Sequence, residues 1–291
     1  MERHILKRQT LMRPNLLAHA LGIVLVVAPV VGAAFAQAPV AVPNFWDPHV
    51  RVERPEPGPP RIVRFLTDDE YPPLHFASPD GGLSGLSVEL ARAVCERLNW
   101  TCTVQARRFD TLPDSLAEGR GDVLAAAINL TPPLRARFAA SHLYFRSPAR
   151  FLGLRANARP ELEIGDLAGK RVAVATGTAH AAFLERHAPA IQRRPAQDLA
   201  AALSAVRAGE ADYLFGDGVA LAVLLSGNGG QGFAFAGGPY LESRYFGEGV
   251  AFLLRKDDAA LRRAIDYALQ GLWDDGTYGR LFLRFFPVSP F

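Results

Sequence analysis

The chain has 291 residues, of which 49% are hydrophobic and 21% are charged, and its formal net charge at pH 7 is +3. Residues 1–36 hold four basic side chains and one acidic side chain, so the rest of the chain is near neutral. A near-neutral body with scattered Arg pairs excludes a nucleic-acid-binding protein that relies on overall positive charge. The seven histidines are scattered, and no Cys/His cluster has the spacing of a zinc site.

The first 36 residues are typical of a secretory signal peptide. A mostly apolar stretch from Leu16 to Val31 leads to the small-x-small motif Ala34-Phe35-Ala36, and the residues before it are basic: Arg3, Lys7, Arg8 and Arg13. The uninterrupted apolar core is shorter than the ~20 residues that a membrane span requires. We therefore expect cleavage near Ala36. The alternative is an uncleaved membrane anchor.

Residues 37–60 have little apolar periodicity and contain seven prolines: Pro39, Pro43, Pro48, Pro55, Pro57, Pro59 and Pro60. This composition predicts an extended Pro-rich arm that contributes no element to the core. Within the arm, Phe45-Trp46 either docks on the folded body or on a partner, or is a loosely packed aromatic pair.

From Arg61 onwards, short apolar runs alternate with helical patterns. Strands are predicted at 61–67, 101–107, 122–128, 171–175, 211–215 and 250–255. Helices are predicted at 86–98, 111–117, 132–138, 179–186, 199–208, 218–225, 259–273 and 278–285. This alternation predicts an α/β protein with parallel sheets, and the length allows one domain or two.

The two cysteines, Cys95 and Cys102, are seven positions apart, at the end of the first predicted helix and the start of the next strand. An exported chain meets an oxidising compartment, so this pair predicts a disulfide. Two free, buried thiols are the alternative.

Several polar residues lie where α/β proteins bind ligands, at the carboxyl ends of strands. Asp68 and Tyr71 follow the first predicted strand, and Asp217 follows a later one. Thr131-Pro132 and Gly177-Thr178 each begin a helix, whose free N–H groups favour an anion. Each position also has a structural interpretation, because Asp and Thr are common in turns and helix caps.

The order of these features resembles the type 2 solute-binding proteins that supply polar amino acids to ABC importers, over Arg61 to Pro287. The nearest likeness is to the lysine/arginine/ornithine and histidine binders. The resemblance implies a two-lobed periplasmic-binding-protein type 2 fold, with a ligand cleft between lobes joined by two crossing strands. Lobe 1 would comprise residues 61–146 plus 247–291, and lobe 2 residues 147–246. The resemblance also implies the disulfide, since the lysine/arginine/ornithine binders carry a bridge at the same helix end.

The resemblance further implies roles for individual residues. Asp68 would meet the positive end of the ligand, with Tyr71 and Phe109 on either side of the ligand's side chain. Thr178 would donate to a carboxylate, and Asp217 would bind the α-ammonium group.

The sequence departs from the family pattern at two places. The Arg that clamps the ligand carboxylate in the family corresponds to Leu134, and Arg135 comes one residue later. Because one residue turns a side chain by about 100° on a helix, Arg135 is either re-aimed into the cleft or a surface residue. Ala126, Ala127 and Asn129 replace serines, so the Ala127 backbone and the Asn129 amide remain as candidate ligand contacts. These changes predict an altered ligand preference.

Together these features predict a periplasmic protein that captures a small amino-acid-like, amine-bearing solute for an ABC permease in the inner membrane. We expect it to act as a monomer, with no nucleic acid, cofactor or metal and no catalytic residue. One alternative is an enzyme on the same scaffold, similar to cyclohexadienyl dehydratase. Another is an accessory protein of a periplasmic dehydrogenase.

Overall fold

The computed structural model describes residues 42–45, 49, 52–55 and 61–291. The signal peptide predicted at 1–36, its anchor alternative and Trp46 of the arm lie outside these residues. Within the described ranges, none of the helices has the length and apolar character needed to cross a membrane.

The described strands follow one another from Ile62 to Arg255. They are β1 (Ile62–Thr67), β2 (Glu70–Tyr71), β3 (His75–Ala77), β4 (Leu83–Ser84), β5 (Thr101–Ala106), β6 (Val123–Leu124), β7 (Phe138–Phe145), β8 (Ala149–Leu154), β9 (Arg171–Ala175), β10 (Gln192–Ala196), β11 (Tyr213–Asp217), β12 (Phe233–Tyr240) and β13 (Val250–Arg255).

The helices alternate with these strands along most of the chain. They are α1 (Leu86–Arg97), α2 (Leu112–Ala117), α3 (Pro132–Arg137), α4 (Ala179–His187), α5 (Leu199–Arg207), α6 (Gly218–Ser226), α7 (Ser243–Phe246), α8 (Ala259–Asp274) and α9 (Thr277–Phe285). In α1, buried Leu86, Leu90 and Val94 recur every four residues, which gives the helix one apolar face.

Two five-stranded sheets organise the fold. The first has the order β5-β1-β6-β13-β7, and the second has the order β10-β9-β11-β8-β12. β2, β3 and β4 form a small third sheet. The chain passes from the first large sheet to the second at 146–148, between β7 and β8, and returns at 241–249, between β12 and β13.

Each large sheet has apolar side chains packed against it. Phe65, Tyr144 and Phe252 are buried in the core of the first sheet, and Phe151 and Phe215 in that of the second. This architecture confirms the prediction of a two-lobed α/β fold. The residue numbers at which each lobe begins and ends stay a prediction.

The prediction of parallel sheets was wrong for part of each sheet. β13 pairs antiparallel with both β6 and β7, and β8 pairs antiparallel with both β11 and β12. β8 follows the first crossing and β13 follows the second, so each of these strands enters its sheet from the other sheet. Neither strand is reached through the βαβ connection that makes neighbouring strands parallel. The predicted strand at 122–128 is also much shorter, since β6 contains only Val123 and Leu124.

The predicted disulfide is confirmed. Cys95 in α1 is bonded to Cys102 in β5, with 6.2 Å between the Cα atoms. The bridge joins the C-terminal turn of α1 to the first residues of the strand that follows. It therefore lies at the end of the first sheet opposite to the carboxyl end of β1.

The described part of the arm docks on the folded body. The Phe45 ring centroid lies 6.4 Å from that of Phe145 and 5.5 Å from that of Phe291. Val42 packs against the core of the first sheet. The loosely packed alternative is thus wrong for Phe45.

Candidate functional site

A cavity of about 740 Å³ lies beside the two chain crossings. Its volume falls in the range of small-molecule sites, roughly 300–1,000 Å³. Residues next to both large sheets line it: Asn129, Leu130, Thr131, Pro132, Ser147, Ala179, His180, Asp217, Ser243, Arg244, Tyr245, Phe246, Gly247 and Glu248. Of the residues predicted from the sequence to bind ligand, Asn129 and Asp217 are in this lining.

Asp217 ends β11 and carries a carboxylate that is held from two sides. Its Oδ1 accepts the backbone N–H of Ala220 at 2.8 Å, which makes it the N-cap of α6. Its Oδ2 accepts the hydroxyl proton of Ser147 at 2.5 Å. The helix-cap interpretation of Asp217 is therefore confirmed, and the same residue lines the cavity, while its role in ligand binding stays a prediction.

His180 lies in the first turn of α4 and lines the cavity. Its ring stacks on Phe246, with 5.2 Å between centroids, and meets Phe215 edge-on at 5.8 Å. Burial lowers the pKa of the imidazole, and the nearby Asp217 carboxylate only partly opposes that effect. The imidazole is therefore neutral at neutral pH, with one ring face stacked on Phe246.

Thr178 is the N-cap of α4. Its hydroxyl donates to the Ala175 carbonyl at 2.8 Å and accepts the Ala181 N–H at 3.2 Å. The hydroxyl is thus engaged within the cap. The N-terminal end of α4, which carries partial positive charge, lies at the cavity.

A second polar cluster lies at the carboxyl end of β1. Asp68 and His75 are 6% and 1% exposed, and Asp68 Oδ1 lies 3.1 Å from His75 Nδ1. The backbone N–H of Ala127 donates to His75 Nε2 at 2.9 Å. The N–H of Ala127 is therefore hydrogen-bonded to His75, a residue for which the sequence predicted no role.

Tyr71 belongs to this cluster, since its ring centroid lies 5.5 Å from that of His75. Burial and, to a smaller extent, the Asp217 carboxylate raise the pKa of the Tyr71 phenol. Ala127, whose N–H contacts His75, precedes the cavity-lining residue Asn129 by two positions, so the cluster adjoins the cavity.

Arg135 lies at the rim of the cavity. Its guanidinium pairs with the carboxylate of Glu248, a lining residue, and the two side chains are 48% and 42% exposed. The predicted helix start is confirmed, since Thr131 is the N-cap of α3 and Pro132 is its first residue, although the Thr131 side chain accepts no hydrogen bond from the described helix backbone. Leu134 packs among apolar side chains.

Phe109 begins a 3₁₀ turn after β5 and is 55% exposed. It is outside the set of residues that line the cavity. The structure therefore brings Asp68, Tyr71 and Ala127 together at one end of the cleft and leaves Phe109 open to solvent.

The return crossing at 241–249 was not predicted from the sequence as part of the site. Ser243, Arg244, Tyr245 and Phe246 form the short helix α7, and Glu248 follows it. A four-residue helix has too little periodicity to be recognised in a sequence. Ser147 was missed for a similar reason, because its importance comes from Asp217, 70 positions away.

The cleft offers donors, acceptors and aromatic faces of a kind suited to a zwitterionic or cationic solute. Carboxylates are present at Asp68, Asp217 and Glu248, and cationic groups at Arg135 and Arg244. Among the described residues no group of three or more His, Cys, Asp and Glu side chains is placed to hold a metal ion.

Known proteins resemble this chain over the region that carries the cleft. Residues 63–288 match the family described as bacterial extracellular solute-binding proteins, family 3. The lysine/arginine/ornithine-binding periplasmic protein of Escherichia coli (strain K12) is 31% identical over 238 residues, which cover 79% of this chain and 89% of that protein. The putative ABC transporter arginine-binding protein 2 of the same strain is 28% identical over 224 residues, covering 77% of this chain and 90% of that protein.

Solved structures agree with these sequence relatives. The L-cystine solute receptor of Neisseria gonorrhoeae, in its unliganded open conformation, aligns with a TM-score of 0.70 at 25% identity. The alignment covers 77% of this chain and 92% of that receptor. Because the family match spans most of the chain and includes both large sheets, the protein belongs to the bacterial extracellular solute-binding proteins, family 3.

Proposed function

We propose that the protein captures a small amino-acid-like, amine-bearing solute outside the cytoplasm and delivers it to an ABC permease. The observation that carries the proposal is the carboxylate of Asp217, which faces a cavity of about 740 Å³ and is held there by Ser147 and Ala220. A carboxylate whose remaining lone pairs face a cavity is a suitable acceptor for a ligand ammonium group.

The other predicted ligand residues are assigned around this anchor. Asn129 and His180 supply polar groups beside the ammonium, and Asp68 and Tyr71 meet the side chain of the solute. Phe109 covers that side chain when the lobes close, a hinge motion of the kind seen in periplasmic binding proteins. Ala127 contributes its backbone carbonyl.

The solute carboxylate is assigned to the N-terminal end of α4, at Thr178, because free N–H groups and partial positive charge favour an anion there. Arg244 and Arg135 lie at the same cavity, as a lining residue and a rim residue. Since Arg135 is already paired with Glu248, we assign it a secondary role.

The export and transport roles are supported by the relatives. The E. coli relatives are named as periplasmic and ABC transporter binding proteins. The leader at 1–36 fits the same route, with cleavage near Ala36 and a mature protein that acts as a monomer.

A binding role is favoured over catalysis by the arrangement of the cavity side chains. The Ser147 hydroxyl donates its proton to Asp217 rather than to a histidine, so it is not activated as a nucleophile. Turnover of prephenate or arogenate would support the enzyme alternative. Co-purification with a periplasmic dehydrogenase would support the accessory alternative.

The experiment is a thermal-shift screen over amino acids, opines, polyamines and organic acids, followed by calorimetry on wild type, Asp217→Asn and Asp198→Asn. Asp198 is a matched control because it caps α5 as Asp217 caps α6, each accepting a backbone N–H at 2.8 Å, but it lies outside the cavity lining. We expect Asp217→Asn to lose at least tenfold in affinity, as removal of a charge-assisted hydrogen bond costs ~1.5–3 kcal/mol.

The screen should also show that lysine, arginine and histidine bind weakly and that a modified amine-bearing solute binds more tightly, because Leu134, Ala126 and Ala127 replace donors. Affinity that is indifferent to Asp217→Asn, or lowered equally by Asp198→Asn, would remove the argument for an amine.

A further inference from the structure

His75 is a fully buried imidazole whose two nitrogens both face polar groups. Nε2 accepts the Ala127 backbone N–H at 2.9 Å, and Nδ1 lies 3.1 Å from Asp68 Oδ1. A backbone N–H can only donate, so Nε2 must present a lone pair and the ring proton must be on Nδ1, toward the carboxylate. The geometry thus sets both the tautomer of His75 and its neutral state.

This placement engages two groups at the ligand end of the cleft. The Ala127 N–H donates to His75 Nε2, and Asp68 Oδ1 and His75 Nδ1, 3.1 Å apart, are buried atoms with no hydrogen-bond partner among the described residues. The charge contact links the Asp68 carboxylate to the imidazole. The hydrogen bond links the backbone at Ala127 to the same ring.

We propose that His75 is a positioning residue that holds Asp68 and the Ala127 backbone in their ligand-binding arrangement, and that proton uptake by His75 weakens solute binding. The proposal rests on the proposed function, since it concerns how the same cleft recognises an amine. A second proton can enter only at Nε2, where it would oppose the Ala127 N–H and break that hydrogen bond. The Asp68–His75 pair would also change from a net charge of −1 to zero, which weakens its attraction for a cation.

The surroundings of His75 determine the pH range of this change. Burial lowers its pKa, and Asp68 and Asp69 partly oppose that effect. Tyr71 of the neighbouring strand is next to the ring and has a raised pKa, so it stays neutral. α1, which packs against β3, carries Glu89 and Arg92, which pair with each other at 2.6 Å.

The direction of the pH effect follows from the lowered pKa. In the unfolded chain, His75 takes up a proton near the ordinary histidine pKa of ~6.5. In the folded protein it does so only at lower pH. The stability due to neutral His75 is therefore complete above ~6.5 and is lost as the pH falls toward the folded value. Solute affinity should decline when the folded imidazole finally titrates.

The test compares wild type with His75→Gln and His75→Phe. Gln keeps an acceptor for the Ala127 N–H and a donor for Asp68 but cannot be protonated, whereas Phe keeps the ring and loses both contacts. Long-range ¹H–¹⁵N NMR of the unliganded protein between pH 7.5 and 5, assigned by the signal missing in His75→Gln, should show a neutral Nδ1–H tautomer that titrates below ~6.5. An Nε2–H tautomer, or titration at or above that value, would overturn the proposal.

The second arm measures L-arginine affinity at millimolar concentrations by NMR titration at pH 7 and pH 5. We expect about a tenfold fall in wild type, because one linked proton changes affinity by at most about tenfold per pH unit. His75→Gln should retain more of the pH 7 affinity than His75→Phe does, and its affinity should change less than about twofold between pH 7 and pH 5. An equal fall in both proteins would overturn the proposal. Failure of every solute to bind at pH 7 would instead contradict the proposed function, and the tautomer measurement would still decide the role of His75.

Discussion

At the scale of single residues, the cleft depends on side chains that orient other side chains. Asp217 faces the cavity in a defined direction because Ser147 and Ala220 donate to its two oxygens. Asp68 has a comparable partner in His75. Orientation matters because a charge-assisted hydrogen bond to a ligand forms only where the lone pairs point at the donor.

Replacement of Ser147 by Ala should therefore weaken solute binding without unfolding the protein. Asp217 keeps its bond to Ala220 but loses the partner that holds Oδ2, so we expect about a tenfold loss of affinity. Calorimetry with the tightest solute of the screen measures it. The control is Ser226→Ala, whose hydroxyl donates to the Ala222 carbonyl at 2.8 Å within α6. Equal affinities for wild type and Ser147→Ala would mean that Ser147 does not position Asp217.

At the scale of elements, acidic N-caps begin several of the helices. Asp198, Asp217 and Asp258 each accept a backbone N–H from the third residue of the helix that follows. Two consecutive aspartates, Asp257 and Asp258, precede α8. The cap is Asp258, whose Oδ1 accepts the Leu261 N–H at 3.1 Å and whose carboxylate also pairs with Arg61.

Replacement of Asp258 by Ala should lower the free energy of unfolding by about 1–2 kcal/mol at pH 7, the cost of losing an N-cap. Burial acts to raise the pKa of Asp258, but the hydrogen bonds from Arg61 and Leu261 and the nearby guanidinium charges together have a larger effect in the opposite direction. The pKa of Asp258 is therefore lowered overall. The stabilisation is therefore complete above a pH of ~4, the pKa of Asp258 in the unfolded chain. It is lost as the pH falls through the lower pKa that Asp258 has in the folded protein.

Urea unfolding of both proteins at several pH values measures this effect. The difference between them should be constant above about pH 5 and shrink below about pH 4. Asp257→Ala is the matched control, since the Asp257 side chain is 84% exposed. If the two variants were equally destabilised, the cap assignment would be wrong.

At the scale of the whole molecule, the C-terminal residues 290–291 pack against strands on both sides of the first chain crossing. The Phe291 ring lies 6.0 Å from that of Phe145, at the end of β7. Arg150, in β8 of the second sheet, is buried and donates to the Pro290 carbonyl at 3.1 Å. Burial lowers the pKa of this guanidinium to about 10, so it stays charged at neutral pH. The tail therefore contacts strands of both large sheets, where it stabilises the crossing.

Replacement of Phe291 by Ala should lower the free energy of unfolding by about 2 kcal/mol, less than the 3–5 kcal/mol of a fully buried Phe because the ring is half-buried. Three aromatic neighbours lose a contact: Phe45, Phe145 and Phe282. Chemical denaturation measures the loss. Leu283→Ala is the control, since Leu283 is 43% exposed on α9. A Phe291→Ala variant no less stable than this control would show that the tail contributes nothing to the crossing.

Much of the fold was predictable because its signals are local. The helices with a clear apolar period, such as α1 and α8, lie within two residues of their predicted bounds. The strands β9 and β13 agree with the prediction at both ends. β7 and β12 were missed, although each has eight residues. Their pairing partners come from distant parts of the chain, and the strand preference of a segment depends on those partners.

By itself, the sequence determined the α/β class, the alternation of elements, the Cys95–Cys102 bridge and the family resemblance, because periodicity, spacing and motif order are properties of neighbouring residues. Only the tertiary structure decided what surrounds each candidate residue. It placed Ser147 against Asp217, Ala127 against His75 and Glu248 against Arg135, pairs separated by 70, 52 and 113 positions. A hydrogen bond depends on distances of about 3 Å and on direction, and contacts between such distant positions are established only when the two sheets and the crossings between them are in place.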